Sequence, residues 1–169
     1  MSSIKLTAVL VAGLALGACS DTGQFGGGGL FGGGNNTPAD NGQFGDPTSP
    51  SYFQQAIGDR VLFPVDQAVL TDEGRAILNA QAGWLAVNSD YVAIIEGHAD
   101  EQGTREYNLA LGARRANAVR EYLVSQGVAG VRLRTLSYGK ERPIEICSAE
   151  ACYQQNRRSV TVITAGSGV

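Results

Sequence analysis

Residues 91–104 read Tyr91-Val92-Ala93-Ile94-Ile95-Glu96-Gly97-His98-Ala99-Asp100-Glu101-Gln102-Gly103-Thr104, and this stretch decides the fold. Its first half, Tyr91 to His98, is a nearly continuous apolar run, as a strand has when it is central in its sheet or covered on both faces. Its second half is a polar loop ending in a threonine, a side chain suited to capping a helix. Arg105 to Gln126 then carries apolar residues at helical spacing and stops at Gly127. In open α/β sheets, ligands sit outside the carboxyl ends of strands, so the loop Ala99 to Thr104 is where a site belongs.

Outward from this unit the same alternation continues. Asp59 to Asp66 reads as a first strand, with Val61, Phe63 and Val65 alternating and Pro64 at an edge or bend. Thr71 to Asn88 reads as a helix: Thr71 caps it, Asp72 and Glu73 suit its first turn, and Ile77, Leu78, Gln81, Trp84 and Leu85 share a face. Val131 to Tyr138 is a third strand and Ser159 to Thr164 a fourth. The order β-α-β-α-β-(loop)-β predicts a two-layer α/β sandwich with helices on one face.

The helix after the loop holds an anomaly. At 100° per residue Asn108, Leu111, Arg115, Ala118, Val119 and Tyr122 share one face, so Arg115 lies in the apolar stripe while Arg114 and Arg120 point elsewhere. A guanidinium against a core needs a partner, and its planar fork suits a carboxylate. Asp100 with Arg115 would offer an acceptor and a donor to a ligand bearing both an ammonium and a carboxylate, with Asp66 facing the same crevice. Spacing alone equally allows Asp100 and Arg115 to pair with each other.

The residues Gly97-His98-Ala99-Asp100, Gly103-Thr104, Tyr107-Asn108, Leu111, Arg114-Arg115-Ala116, Val119, Ser137-Tyr138-Gly139 and Asn156-Arg157-Arg158 closely resemble the OmpA-like peptidoglycan-binding domain. The likeness covers roughly Asp59 to Thr164 and is nearest to the family's peptidoglycan-associated lipoproteins (Pal). It implies a mixed four-stranded sheet, and as ligand the free ammonium and carboxylate of diaminopimelate in a wall stem peptide. On the matching positions Asp100 would take the ammonium and Arg115 the carboxylate, with Asn108 and Leu111 supporting the pocket. His98, Thr104 and Arg157 match motif positions nearby. The resemblance further implies a Tol-Pal role with TolB as exchange partner, in envelope integrity and division. One departure is Phe63-Pro64-Val65-Asp66, where many relatives read Phe-x-Phe-Asp; it bears on the pocket wall.

The N-terminal third differs in kind. Residues 1–18 carry Lys5 and an uncharged apolar run, Leu6 to Leu16, the layout of a secretory signal peptide and far short of the roughly 20 apolar residues that span a bilayer. Leu16-Gly17-Ala18-Cys19 resembles a bacterial lipobox, which implies lipidation of Cys19, and Ser20 after it implies delivery to the outer membrane. Several acyl chains anchor stably, at about 0.8 kcal/mol per buried methylene. Residues 19–51 are rich in Gly, Asn, Pro, Asp and Ser, a composition that cannot fold alone. As a coil they would span roughly 30 Å and tether the domain at 52–169.

A net charge of −3 gives no basic field for nucleic acid. Cys147 and Cys152, five residues apart, are expected to form a local disulfide in an exported protein, two free thiols being the alternative. No cofactor or metal is expected. Glu96, His98 and Asp100 alternate along an extended segment as metal ligands would, but the chain has one histidine. No serine or cysteine nucleophile stands in a recognisable motif with His98. Non-enzymatic wall binding is the first reading, and a metal-dependent or hydrolytic envelope enzyme the second.

Overall fold

The computed structural model of the chain describes residues 45–166. The leader 1–18, Cys19 and the glycine-rich stretch up to Phe44 lie outside the described residues, as do residues 167–169. Four strands make one mixed sheet: β1 (Arg60–Leu62), β2 (Tyr91–His98), β3 (Leu133–Gly139) and β4 (Arg158–Ala165). Their order is β1-β4-β2-β3, with β2 parallel to β3 and antiparallel to β4. The apolar run of β2 therefore belongs to an interior strand, the first of the two readings its composition allowed.

Two long helices, α2 (Asp72–Val87) and α3 (Arg105–Ser125), pack on one face of the sheet. A short helix α1 (Pro50–Tyr52) precedes them and runs on through a looser turn, Phe53–Gly58. Thr71 and Thr104 cap α2 and α3 through their side-chain oxygens, accepting from Gly74 N at 3.0 Å and Tyr107 N at 3.2 Å. Gly127, with φ 96°, ends the turn after α3. The core between the layers includes Phe53, Val61, Leu78, Trp84, Leu85, Ile95, Val119 and Leu123. Burying each of the larger of these contributes about 1.5–3 kcal/mol.

The structure differs from the sequence expectation in the length of the first strand and in the connection before the last. The first strand shrinks from Asp59–Asp66 to Arg60–Leu62, because Pro64 has no N–H to continue a ladder; Phe63 N makes the last bond, to Arg157 O at 2.8 Å. The connection before the last strand, read as loop, contains a fourth helix, α4 (Glu150–Asn156), too short to show helical periodicity. Trp84 Nε1 of α2 donates to Pro47 O at 2.8 Å, just before α1.

One contact places the site. A side chain on Gly97 of β2 would collide with the Gly112 carbonyl of α3, so strand and helix backbones touch there. Arg115, one helical turn further, is thereby set against the end of β2.

Candidate functional site

Beyond the end of β2, the loops following β1 and β2 and the first turns of α3 enclose a cleft of about 270 Å³. It is lined by Val65, Asp66, Asp100, Gln102, Gly103, Tyr107, Asn108 and Leu111. Four of the residues singled out from sequence are thus brought together: Asp66, Asp100, Asn108 and Leu111. A second cleft of about 180 Å³ lies between Arg60 and Leu62 of β1 and Gly74 and Ile77 of α2, but its walls are mainly apolar and bring no pair of carboxylates together.

Asp100 is nearly buried, and its carboxylate accepts from Gln102 N at 3.2 Å and from Arg157 Nη1 at 3.3 Å. Its ion-pair partner is therefore Arg157 of β4's approach and not Arg115. Asn108, also buried, donates to Gln102 O at 2.7 Å and so holds the loop that carries Asp100. Asp66 stands at the opposite wall in the left-handed region, φ 56°, which non-glycine residues seldom occupy and which collects at functional sites. Its Oδ1 accepts from the Tyr107 hydroxyl across the cleft, which holds that phenol's pKa above its ordinary value.

Arg115 is fully buried behind this cleft. Its Nε donates to Gln67 O at 2.8 Å, Nη1 to His98 O at 2.8 Å and Nη2 to Pro64 O at 3.2 Å. The guanidinium also lies over the Phe63 ring, 5.3 Å from its centroid. Burial pulls its pKa down to about 10 against the opposing pull of Asp100, so it stays charged at neutral pH. Three of its five N–H groups are committed to backbone carbonyls, and two remain.

His98 faces away from the cleft, because Gly97 takes the helix-covered side of β2 and successive residues alternate. Its ring stacks on Tyr138, 5.5 Å between centroids, and among the described residues neither ring nitrogen has a hydrogen-bond partner. Glu96 Oε2 is 3.8 Å from Nε2, beyond hydrogen-bond range. Burial, then Arg158 and Arg142, push its pKa down to about 4. A ring only 2% exposed on the far side of the strand is no general base for a substrate in the cleft. Glu96 and His98 on one face and Asp100 on the other do not converge on a metal, and among the described residues no group of three such ligands does.

Thr104 acts through its cap, and Arg157 reaches the cleft only through Asp100. Tyr107, Gln102 and Gly103 are lining residues that sequence reading did not assign. Tyr107 matters through Asp66, 41 residues away, and no local pattern shows such a contact. The sulfurs of Cys147 and Cys152 are joined, with Cα atoms 5.9 Å apart.

The OmpA family model matches residues 62–157. The chain is 54% identical over 122 residues to the peptidoglycan-associated lipoprotein of Rhizobium meliloti, covering 72% of this chain and 69% of the relative. It is 39% identical to that of Legionella pneumophila, covering 93% of each. Among solved structures, the peptidoglycan-associated lipoprotein from Burkholderia pseudomallei matches with TM-score 0.64 and 37% identity, covering 72% of this chain and 98% of that one. The C-terminal domain of Helicobacter pylori MotB shares the fold, with TM-score 0.60 at 19% identity over 64% of this chain and 86% of its own.

Proposed function

The chain belongs to the OmpA family, and from that premise we propose that its C-terminal domain, residues 52–169, binds peptidoglycan non-covalently through diaminopimelate of the stem peptides. The observation that carries this reading is the cleft itself, whose walls present Asp66 and Asp100 with the buried guanidinium of Arg115 behind them. An ammonium entering it meets carboxylate oxygens and gains charge-assisted hydrogen bonds. The neighbouring carboxylate of the same ligand is complemented by the two uncommitted N–H groups of Arg115. Asn108 and Leu111 shape the wall, Thr104 and His98 hold the loop ends, and Arg157 orients Asp100. The relatives' names, which associate them with peptidoglycan, support the wall as the binding partner.

The rest of the chain completes a linker. Residues 1–18 direct export, acyl chains on Cys19 hold the outer membrane, and residues 19–51 supply the reach to the wall. As a member of the Tol-Pal system it would exchange peptidoglycan for TolB in maintaining the envelope and supporting division. Binding of this kind needs no catalytic group and no cofactor.

The test is co-sedimentation of the full chain with purified sacculi containing diaminopimelate. The parent pellets with the wall and releases no soluble fragments. Asp100→Asn, which keeps the shape and removes the charge, weakens binding roughly 10- to 100-fold, the worth of a charged hydrogen bond. If folded Asp100→Asn and Asp66→Asn both pellet like the parent, the cleft is not the site. Co-purification of TolB separates a Tol-Pal member from a general wall anchor.

A further inference from the structure

Residues 140–156 fold over the loop that carries Asp100. Lys140 Nζ donates to Gly103 O at 2.7 Å and Glu101 O at 3.3 Å. Ser148 Oγ and Tyr153 OH both donate to Glu101 Oε1, at 3.0 and 2.8 Å. Asn156 closes the other end, its Oδ1 accepting from Ile144 N and Glu145 N and its Nδ2 donating to Glu145 O. The Cys147–Cys152 disulfide encloses Glu150, the first residue of α4.

Within this frame one guanidinium stands between two carboxylates. Arg157 Nη2 donates to Glu150 Oε1 at 2.5 Å and Nη1 to Asp100 Oδ2 at 3.3 Å, while Nε is fixed on Phe63 O at 3.3 Å. One guanidinium is thus divided between two acids. An arginine left to Asp100 alone would satisfy the charge that a ligand's ammonium needs, and the two cations would compete for one carboxylate. A second acid that draws the guanidinium aside leaves Asp100 oriented yet available. The geometry points to Glu150 as a positioning residue: held in the disulfide-closed turn, it restrains Arg157 from neutralising Asp100 and so raises the affinity of the cleft for an ammonium. This rests on the reading that the cleft takes its ligand's ammonium at Asp100.

The experiment is calorimetry on the full chain with a soluble stem tripeptide ending in diaminopimelate, at low salt and near 1 M salt. Glu150 is exposed, so Glu150→Gln leaves the fold intact and weakens binding at low salt by roughly three- to fivefold, the scale of an exposed ion pair. The gap narrows at high salt, where exposed charges are screened, and Glu150→Asp recovers most of the loss. Cys147→Ser with Cys152→Ser loosens the turn and weakens binding in the same direction by less. A merely structural loop would give a loss that salt does not narrow, and that result overturns the inference, as does Glu150→Gln binding like the parent at low salt. Asp100→Asn separates the two failures. If it abolishes binding while Glu150→Gln does not weaken it, only the role of Glu150 falls; if it binds like the parent, the reading of the cleft falls and takes this inference with it.

Discussion

Two arginines clamp the two ends of β2 with the same chemistry. Arg132, at the start of the strand, donates to Tyr91 O at 2.8 Å, Leu85 O at 3.0 Å and Asn88 O at 2.8 Å, tying the end of α2 to β2. Arg115, at the finish, donates to three carbonyls, those of Pro64 and Gln67 on the loop after β1 and that of His98 at the end of β2. Both replace with one rigid fork what would otherwise be unpaired backbone acceptors. They differ in what surrounds the clamp. Arg132 is half-buried, whereas Arg115 is wholly buried with Asp100 and Asp66 close enough to hold up its charge. The carbonyl clamp is thus a structural device used twice, and the candidate site lies where carboxylates and a cleft are added to it.

The comparison is tested most severely by Arg115→Met. Removing this fully buried guanidinium leaves three carbonyls without their donor and takes away the charge that faces Asp100 and Asp66, and costs roughly 3–5 kcal/mol. Urea unfolding reads it directly. Arg115→Lys does not restore the loss, since a single ammonium cannot meet three acceptors fixed on the plane of a fork. A midpoint for Arg115→Met no lower than that of Arg132→Met would break the comparison. Weak wall binding by an Arg115 variant therefore reports on the fold as well as on the ligand, and Asp100→Asn is the cleaner probe of the cleft.

Sequence periodicity exposed Arg115 because a charge on an apolar face violates a local pattern, and it exposed Asp100, Asn108 and Leu111 because they lie on the loop and helix next to it. It could not say that Arg115's acceptors are Pro64, Gln67 and His98 carbonyls, since backbone acceptors leave no mark in side-chain sequence. Distance along the chain hid the pairing of Asp100 with Arg157, 57 residues apart, and of Tyr107 with Asp66, since no local pattern shows such contacts. The helices and interior strands were legible because capping threonines, Gly127 and apolar runs are local signals. Helix α4 was not, because seven residues make less than two full turns and its stability comes from the disulfide and from Asn156.

The finishing end of β2 carries a second asymmetry, and pH brings it out. His98, whose carbonyl serves Arg115, keeps a neutral ring among Glu96 on β2, Tyr138 on β3, Arg142 beyond it and Arg158 on β4. The unfolded chain protonates this imidazole near pH 6.5 and the folded one only near 4. Between those values the unfolded state binds the extra proton, so stability falls as pH drops from about 6.5 toward 4 and the loss levels off below that. The full loss is on the order of 3 kcal/mol. The chain has one histidine, so a single imidazole signal reports the titration by NMR. His98→Gln flattens this limb of the stability curve. Amide exchange at mild acidity should then quicken first around His98 and Gln67 and leave the Arg132 end protected; uniform quickening would break the contrast between the two ends.

The smallest effect sharpens the comparison from the other side. Arg132→Met removes as many hydrogen bonds as Arg115→Met, yet Arg132 itself is half-buried, so water enters the space its guanidinium leaves and partners the freed carbonyls. The expected cost is about 1–2 kcal/mol, a fraction of that at Arg115, because water replaces the lost donor here and leaves no charge buried alone. No carboxylate of the cleft borders this end, so Arg132→Met leaves binding to sacculi unchanged under conditions where the variant is folded. Parallel denaturation and co-sedimentation measure both quantities on one protein. A cost equal to that of Arg115→Met would mean that burial does not separate the clamps, and lost wall binding would mean that the two ends of the strand are coupled.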